Sequence, residues 1–167
     1  NLIELGTRSL LIEDGKKLIL IDCGLGQKQD EKFFGHYSLW GDDSLDKNLK
    51  KYGFVSEDIT DVFLTHLHFD HCGGAIEWND DRTGYRPAFR NAQFWTNENH
   101  WQWATEPNPR EKASFLKENI FPMQESVQLN FVPLPTTGNY GFAPDLKMDI
   151  IFVDGHTEKQ MLPVIQY

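Results

Sequence analysis

The run Thr65-His66-Leu67-His68-Phe69-Asp70-His71-Cys72-Gly73-Gly74 gathers three of the chain's six histidines and one carboxylate into six positions. A lone histidine reads as an ordinary surface or core residue, but four ligand-type side chains this close together mark a metal site. The run follows Asp61-Val62-Phe63-Leu64, a short stretch of strand formers. The imidazoles are therefore expected just past the end of a buried strand, on a loop held by a rigid sheet. His66 and His68 stand two residues apart and point to one side of an extended segment, where both can reach one ion. Asp70 and His71 follow where Gly73 and Gly74 let the chain turn, and they can converge on a second point. Imidazole with carboxylate suits zinc, with iron and manganese as competitors.

Thr65-His66-Leu67-His68-Phe69-Asp70-His71 resembles the HxHxDH motif of the metallo-beta-lactamase superfamily. Upstream, Ser9 to Gly15 and Lys17 to Gly24 resemble that family's opening hairpin, which ends in an LIDxG turn beneath the metal site. Downstream, Val153-Asp154-Gly155-His156-Thr157 is similar to its GHT motif. The resemblance covers about Ser9 to Pro163. It implies an α/β fold, the four-layer αββα sandwich, with this chain as a single domain over 1–167 that covers mainly the N-terminal half. It also implies a ligand set: His66, His68 and His156 on a first ion, Asp70 and His71 on a second, and zinc at both sites in the intact fold. Zinc lowers the pKa of a bound water to around 7, and Asp70 would orient that water or take its proton. Asp22 would lie under the ligand loop and accept a ring N–H from a ligating histidine; a turn-stabilising aspartate is an equal alternative. Thr65 and Thr157 would fix their loops through hydroxyl hydrogen bonds.

The chain departs from the family pattern near its end. Members usually add a bridging aspartate on a later strand and a final histidine, yet no Asp or His follows His156. Lys159-Gln160 also stand where the commoner GHTxGH form has glycine and histidine. The expectation is a truncated domain with one complete ion site and half of another. Its apolar sheet face would be covered by the missing C-terminal half or by a second copy in a homo-oligomer.

With 167 residues the chain is long enough for one domain with a sizeable core. A formal net charge of -9 disfavours a phosphate backbone, so no nucleic acid partner is expected. The longest apolar runs, Leu18 to Ile21 and Ile150 to Val153, are strand-sized, so no membrane association is expected. No signal peptide is visible, and two cysteines, Cys23 and Cys72, make no disulfide framework; a reducing, cytoplasmic setting is expected. Both cysteines are expected to be small buried residues beside the site rather than ligands.

Ser9 to Glu13 and Lys17 to Ile21 read as a hairpin, and Ser44 as the cap of a helix ended by Gly53. The loop between Gly24 and about Asp43 holds Phe33, Phe34, His36, Tyr37 and Trp40, as a lid or as packing on the core. Ala75 to Trp78 reads as the start of a helix, and Asn79 to Pro87 as an exposed loop. Ala92 to Trp95 reads as a strand, with Thr96 capping a helix from Asn97 to Ala104 that carries His100, Trp101 and Trp103. Pro109 suits a helix start that continues through Glu111 to Glu118. Val127 to Val132 and Asp149 to Val153 read as strands, separated by a stretch from Pro133 to Pro144.

The activity implied by the resemblance is metal-dependent hydrolysis of a small-molecule ester, lactone, thioester or amide, with a lactonase-like reaction first. The alternatives are a phosphodiesterase or nuclease-like member and a catalytically inactive metal-binding module.

Overall fold

Leu18-Ile19-Leu20-Ile21 offers an apolar side chain to both faces of a strand, and such a strand is stable only when both faces are packed. The computed structural model describes residues 3–135, 140–143 and 146–166, and packs it on both sides. Strand β1 (Leu10–Glu13) pairs antiparallel with β2 (Leu18–Ile21), and the Asp14 carboxylate closes the turn by accepting from the Lys16 and Lys17 amides. Helix α1 (Glu31–Gly35) lies in the long loop that follows, capped by Asp30, and α2 (Leu45–Lys51) is capped by the Ser44 hydroxyl oxygen. Strand β3 (Asp61–Phe63) runs parallel to β2 and leads through the histidine run into the single turn α3 (Phe69–Cys72). Next come β4 (Ile76–Trp78), β5 (Tyr85–Pro87), β6 (Gln93–Thr96), α4 (Glu98–Thr105), α5 (Lys117–Glu125) and β7 (Leu129–Phe131). Strands β8 (Tyr140–Ala143), β9 (Met148–Val153) and β10 (Gln160–Ile165) complete the order. Residues 136–139 and 144 of the Pro133 to Pro144 stretch lie outside the described residues.

The main sheet has the order β1-β2-β3-β6-β7, and the second is the antiparallel β10-β9-β8. Leu18, Leu20, Val62 and Phe94 face the helices, meeting Leu49, Trp101, Ile120 and Met123. Ile19, Ile21 and Phe63 face the other way, against Val132, Met148, Ile150 and Met161 from the second sheet. Three of the four expected layers are thus present: helices, first sheet, second sheet. On the far face of the second sheet Ile151 pairs with Leu162, each 38% exposed, and no α-helix follows α5 among the described residues. No helix there is long and apolar enough to cross a membrane.

Three local expectations need correction. Ala75 to Trp78 does not start a helix: it forms β4, which pairs with β5 inside the segment expected as an exposed loop. Cross-strand contacts decide this, with the Trp78 and Tyr85 rings 4.5 Å apart and Arg86 bonded to Glu77 at 2.9 Å. The helix expected from Pro109 through Glu118 is broken, because the backbone becomes extended at Phe115 and Leu116 to bury the Phe115 ring before α5 begins. Asn97, not Thr96, caps α4; Thr96 is still the last residue of β6 and fully buried.

The ligand run is pressed against the turn after β2. The Cys23 amide donates to the His71 carbonyl at 2.8 Å, and the Gly74 amide to the Gly24 carbonyl at 3.0 Å. A Cβ on Gly73 would collide with the Leu25 carbonyl, whereas one on Gly35 would meet nothing. Gly73→Ala is therefore expected to cost about 1–3 kcal/mol by overpacking, and Gly35→Ala close to nothing. Urea denaturation of both variants checks this, and equal midpoints would contradict it.

Candidate metal centre

Strands β2, β3 and β6 are parallel, so their C-terminal ends share one edge, the edge at which open α/β sheets present ligand sites. The loops leaving that edge carry Asp22, the run from His66 to His71, and the segment from Asn97 to His100. His156 arrives from the second sheet, on the turn between β9 and β10. One ligand atom from each of His66, His68 and His156 lies within 4.8 Å of the others. The ring centroids are 4.6 Å apart for His66 and His68, 5.0 Å for His66 and His156, and 4.9 Å for His68 and His156.

Hydrogen bonding fixes the tautomer of His66. The Thr65 hydroxyl donates its one proton to Asp22 at 2.8 Å, so at its 3.0 Å contact with His66 Nδ1 it must accept. His66 Nδ1 therefore carries the proton and Nε2 carries the lone pair, which is buried with no hydrogen-bond partner. His68 Nε2 is likewise buried without a hydrogen bond, with Glu111 Oε2 at 3.7 Å. Burial, reinforced by the neighbouring histidines, pushes His66 down to about 2. Burial and then His156 also lower His68, against the pull of Asp70 and Glu111. Two buried neutral imidazoles, each with a ring nitrogen lacking a hydrogen-bond partner, fit a divalent cation, which binds only deprotonated histidine.

Asp70 and His71 flank this group without joining it: His71 Nε2 is 3.6 Å from Asp70 Oδ2, and the His71 ring is 4.0 Å from that of His66. His71 Nδ1 lies 2.8 Å from Asp22 Oδ2, and a carboxylate there makes it the donor. Burial pulls His71 down, but the hydrogen bond and charge of Asp22 and the charge of Asp70 raise it overall. Asp22 sits in the left-handed region at φ 55° and also accepts the Thr65 amide at 2.8 Å, so one carboxylate ties the end of β2 to the start of the ligand loop. Cys23 and Cys72 are free and buried; Cys72 Sγ donates to the Leu67 carbonyl at 3.3 Å. Burial raises the Cys72 thiol to about 12 and Cys23 well above its ordinary value, so neither offers a thiolate near neutrality.

Three residues around the centre carried no site signal in the sequence. His100, fully buried on α4, accepts the Leu67 amide through Nε2 at 2.8 Å and bonds the Glu158 carbonyl through Nδ1. Asn97 donates to the Lys159 carbonyl at 2.8 Å. Glu111 accepts from the Thr157 hydroxyl at 2.8 Å, from Trp103 at 3.1 Å and from Asn108 at 3.3 Å. Burial would raise the Glu111 carboxyl, but these three donors outweigh it and hold the group below the usual range. Beside the run, Phe69 packs its ring 5.3 Å from Phe33 and 5.1 Å from Tyr37, so part of the loop after β2 forms an aromatic cluster next to Asp70.

A sequence profile described as the metallo-beta-lactamase superfamily matches residues 2–119. A probable metal-dependent hydrolase from Staphylococcus aureus superposes with a TM-score of 0.80 at 24% identity, over 96% of this chain and 53% of that one. AidC, a dizinc quorum-quenching lactonase solved with its product, superposes at 0.65 with 25% identity, over 95% and 52%. A variant of B. thuringiensis AiiA with N-decanoyl-L-homoserine at its active site superposes at 0.63 with 21% identity, over 93% and 56%. Transcription termination factor FttA of Methanocaldococcus jannaschii is 33% identical over 70 residues, which is 42% of this chain and 9% of that protein. The chain thus spans about half the length of these solved structures and shares their fold over that half.

The buried histidines dictate how the metal-free protein responds to acid. His66, His68 and His100 have folded values below the ordinary 6.5, by burial first in each case, with His100 at about 4. Below pH 6.5 the unfolded chain takes up protons that the folded chain refuses, so stability is complete above 6.5 and falls as pH drops towards 4. His71, raised, acts in the opposite sense but is one group against three. A loss of about 1–3 kcal/mol per pH unit is expected between pH 6 and 5, read from urea midpoints. A flat or rising profile would contradict the assignment.

Proposed function

The chain belongs to the metallo-beta-lactamase superfamily, and from that membership we propose that it acts as a zinc-dependent hydrolase of small-molecule esters, with lactones first. The observation that carries this reading is the convergence of three imidazoles from two sheets, two of them buried and held neutral. His66, His68 and His156 would hold the first ion, and Asp70 with His71 would contribute to a second. Bound there, zinc would supply Lewis acidity and a water acidic enough to attack at neutral pH. The hydrogen bond from Nδ1 to Asp22 leaves the His71 Nε2 lone pair facing Asp70. Asp70 would take the proton of the attacking water and return it to the alkoxide released when the lactone C–O bond breaks. The aromatic cluster of Phe33, Tyr37 and Phe69 offers an apolar surface suited to an uncharged organic substituent. Similarity to a dizinc lactonase at 25% identity favours lactones within the ester class. A net charge of -9 favours a small substrate over a polyanion.

Hydrolysis of a panel of lactones, thioesters and phosphodiesters, with and without chelator, tests the proposal. Lactone opening is expected to disappear on chelation and return with zinc. His156→Ala is expected to lose bound zinc and at least 100-fold in rate, while its urea midpoint measured metal-free stays near that of the metal-free parent, since His156 is exposed. Activity indifferent to chelation would sink the mechanism, and activity confined to phosphodiesters would replace the substrate class.

A further inference from the structure

We infer that His100, with Asn97 and Glu111, is a positioning clamp that sets the distance between the two ligand loops by hydrogen bonding to the backbone and hydroxyl groups on either side of the metal centre. The inference rests on reading His66, His68 and His156 as ligands. His66 and His68 leave one sheet and His156 leaves the other, so no single element fixes their separation. Within its own turn the His156 loop is closed by Asp154, which accepts from the Lys159 amide at 2.9 Å and from Lys159 Nζ. Those bonds shape the turn but do not tie it to the first sheet.

One tie is backbone to backbone, the Met161 amide donating to the Thr65 carbonyl at 2.8 Å, and the segment after β6 adds three more. Three consecutive residues following His156 are each held by a different residue of that segment: the Thr157 hydroxyl by Glu111, the Glu158 carbonyl by His100, and the Lys159 carbonyl by Asn97. His100 reaches the other loop at the same time, because its Nε2 accepts the amide of Leu67, the residue between His66 and His68. One imidazole therefore spans the gap between the two loops. Its chemistry is fully determined: an amide can only donate and a carbonyl can only accept, so Nε2 must hold the lone pair and Nδ1 the proton. Phenylalanine, of similar shape, has neither group; glutamine has one of each. Asn97 and His100 are fully buried and Thr157 nearly so, which makes each unmade bond costly. Asn97 also accepts the His100 amide at 2.9 Å as the cap of α4, so the helix start and the clamp are one structure.

A merely space-filling His100 would affect stability and nothing else, so the test reads position. His100→Phe, His100→Gln and Thr157→Val are compared with the parent chain for amide hydrogen exchange in the metal-free state. Zinc affinity by competition and the visible spectrum of the cobalt-substituted centre are read alongside. With His100→Phe, exchange at Leu67 is expected to rise at least tenfold relative to Leu20 on β2. Zinc affinity should fall about 10–100-fold, and the cobalt bands should shift. His100→Gln should stay within about threefold of the parent, and Thr157→Val, which leaves both His100 bonds intact, should lose about 3–10-fold in zinc affinity. Unchanged Leu67 exchange and zinc affinity in His100→Phe would overturn the clamp, as would His100→Gln behaving like His100→Phe. If His100→Phe does not fold, unchanged affinity in Thr157→Val overturns it. A parent chain that binds neither zinc nor cobalt would defeat the metal reading, while Leu67 exchange would still decide the clamp.

Discussion

Two imidazoles packed this closely cannot both be charged. Two protonated rings at the 4.6–5.0 Å spacings of His66, His68 and His156 would repel by about 3–4 kcal/mol even at an effective dielectric of 20. Burial supplies most of the restraint on His66 and His68, and on His66 a hydrogen bond also fixes which nitrogen carries the proton. Thr65 does this for His66, because its hydroxyl is already committed to Asp22 and can only accept from the ring. His71, outside the donor group, takes the opposite course and is raised despite burial because a carboxylate faces each of its nitrogens. The contrast between His66 and His71, with ring centroids 4.0 Å apart, comes from the deeper burial of His66 and from the carboxylates that face His71.

Core packing and site assembly are the same problem here. His156 is brought to the other histidines because Ile19, Ile21 and Phe63 on one sheet dock on Met148, Ile150 and Met161 on the other. The Met161 amide then donates to the Thr65 carbonyl at 2.8 Å, joining the start of β10 to the residue before His66. Hydrophobic docking sets the sheets at roughly the right separation, but it is non-directional and cannot fix a loop to within a bond length. Directional bonds from Asn97, His100 and Glu111 supply the remainder.

What could be read from the chain alone follows the range of the interaction. The β1 and β2 hairpin, the Ser44 cap and the dense histidine run are local, and each is visible within a few residues. Ala75 to Trp78 is ambiguous in sequence because so short a segment shows no decisive period; pairing with β5 makes it a strand. Asn97 rather than Thr96 caps α4 because Thr96 is the last residue of β6. His100 and Glu111 lay beyond local reading altogether. Their partners on the ligand loops are 33, 58 and 46 residues away, and those of His100 are backbone groups, which every residue possesses. A histidine that serves backbone atoms leaves no spacing pattern, whereas histidines that share an ion do.

Charge balance explains why carboxylates surround a donor group that contains none. A divalent ion held by imidazoles alone would keep its charge uncompensated in a partly buried place, where such charge is costly. Asp22 stands on one side, linked to His66 through Thr65 and directly to His71. Glu111 stands on the other, 3.7 Å from His68 and bonded to Thr157 beside His156. Each carboxylate is anchored by several donors, so neither can swing in to become a ligand without breaking bonds that hold the loops. The same groups that place the histidines therefore also balance the ion they would bind, which couples loop geometry to metal affinity more tightly than ligand identity alone would.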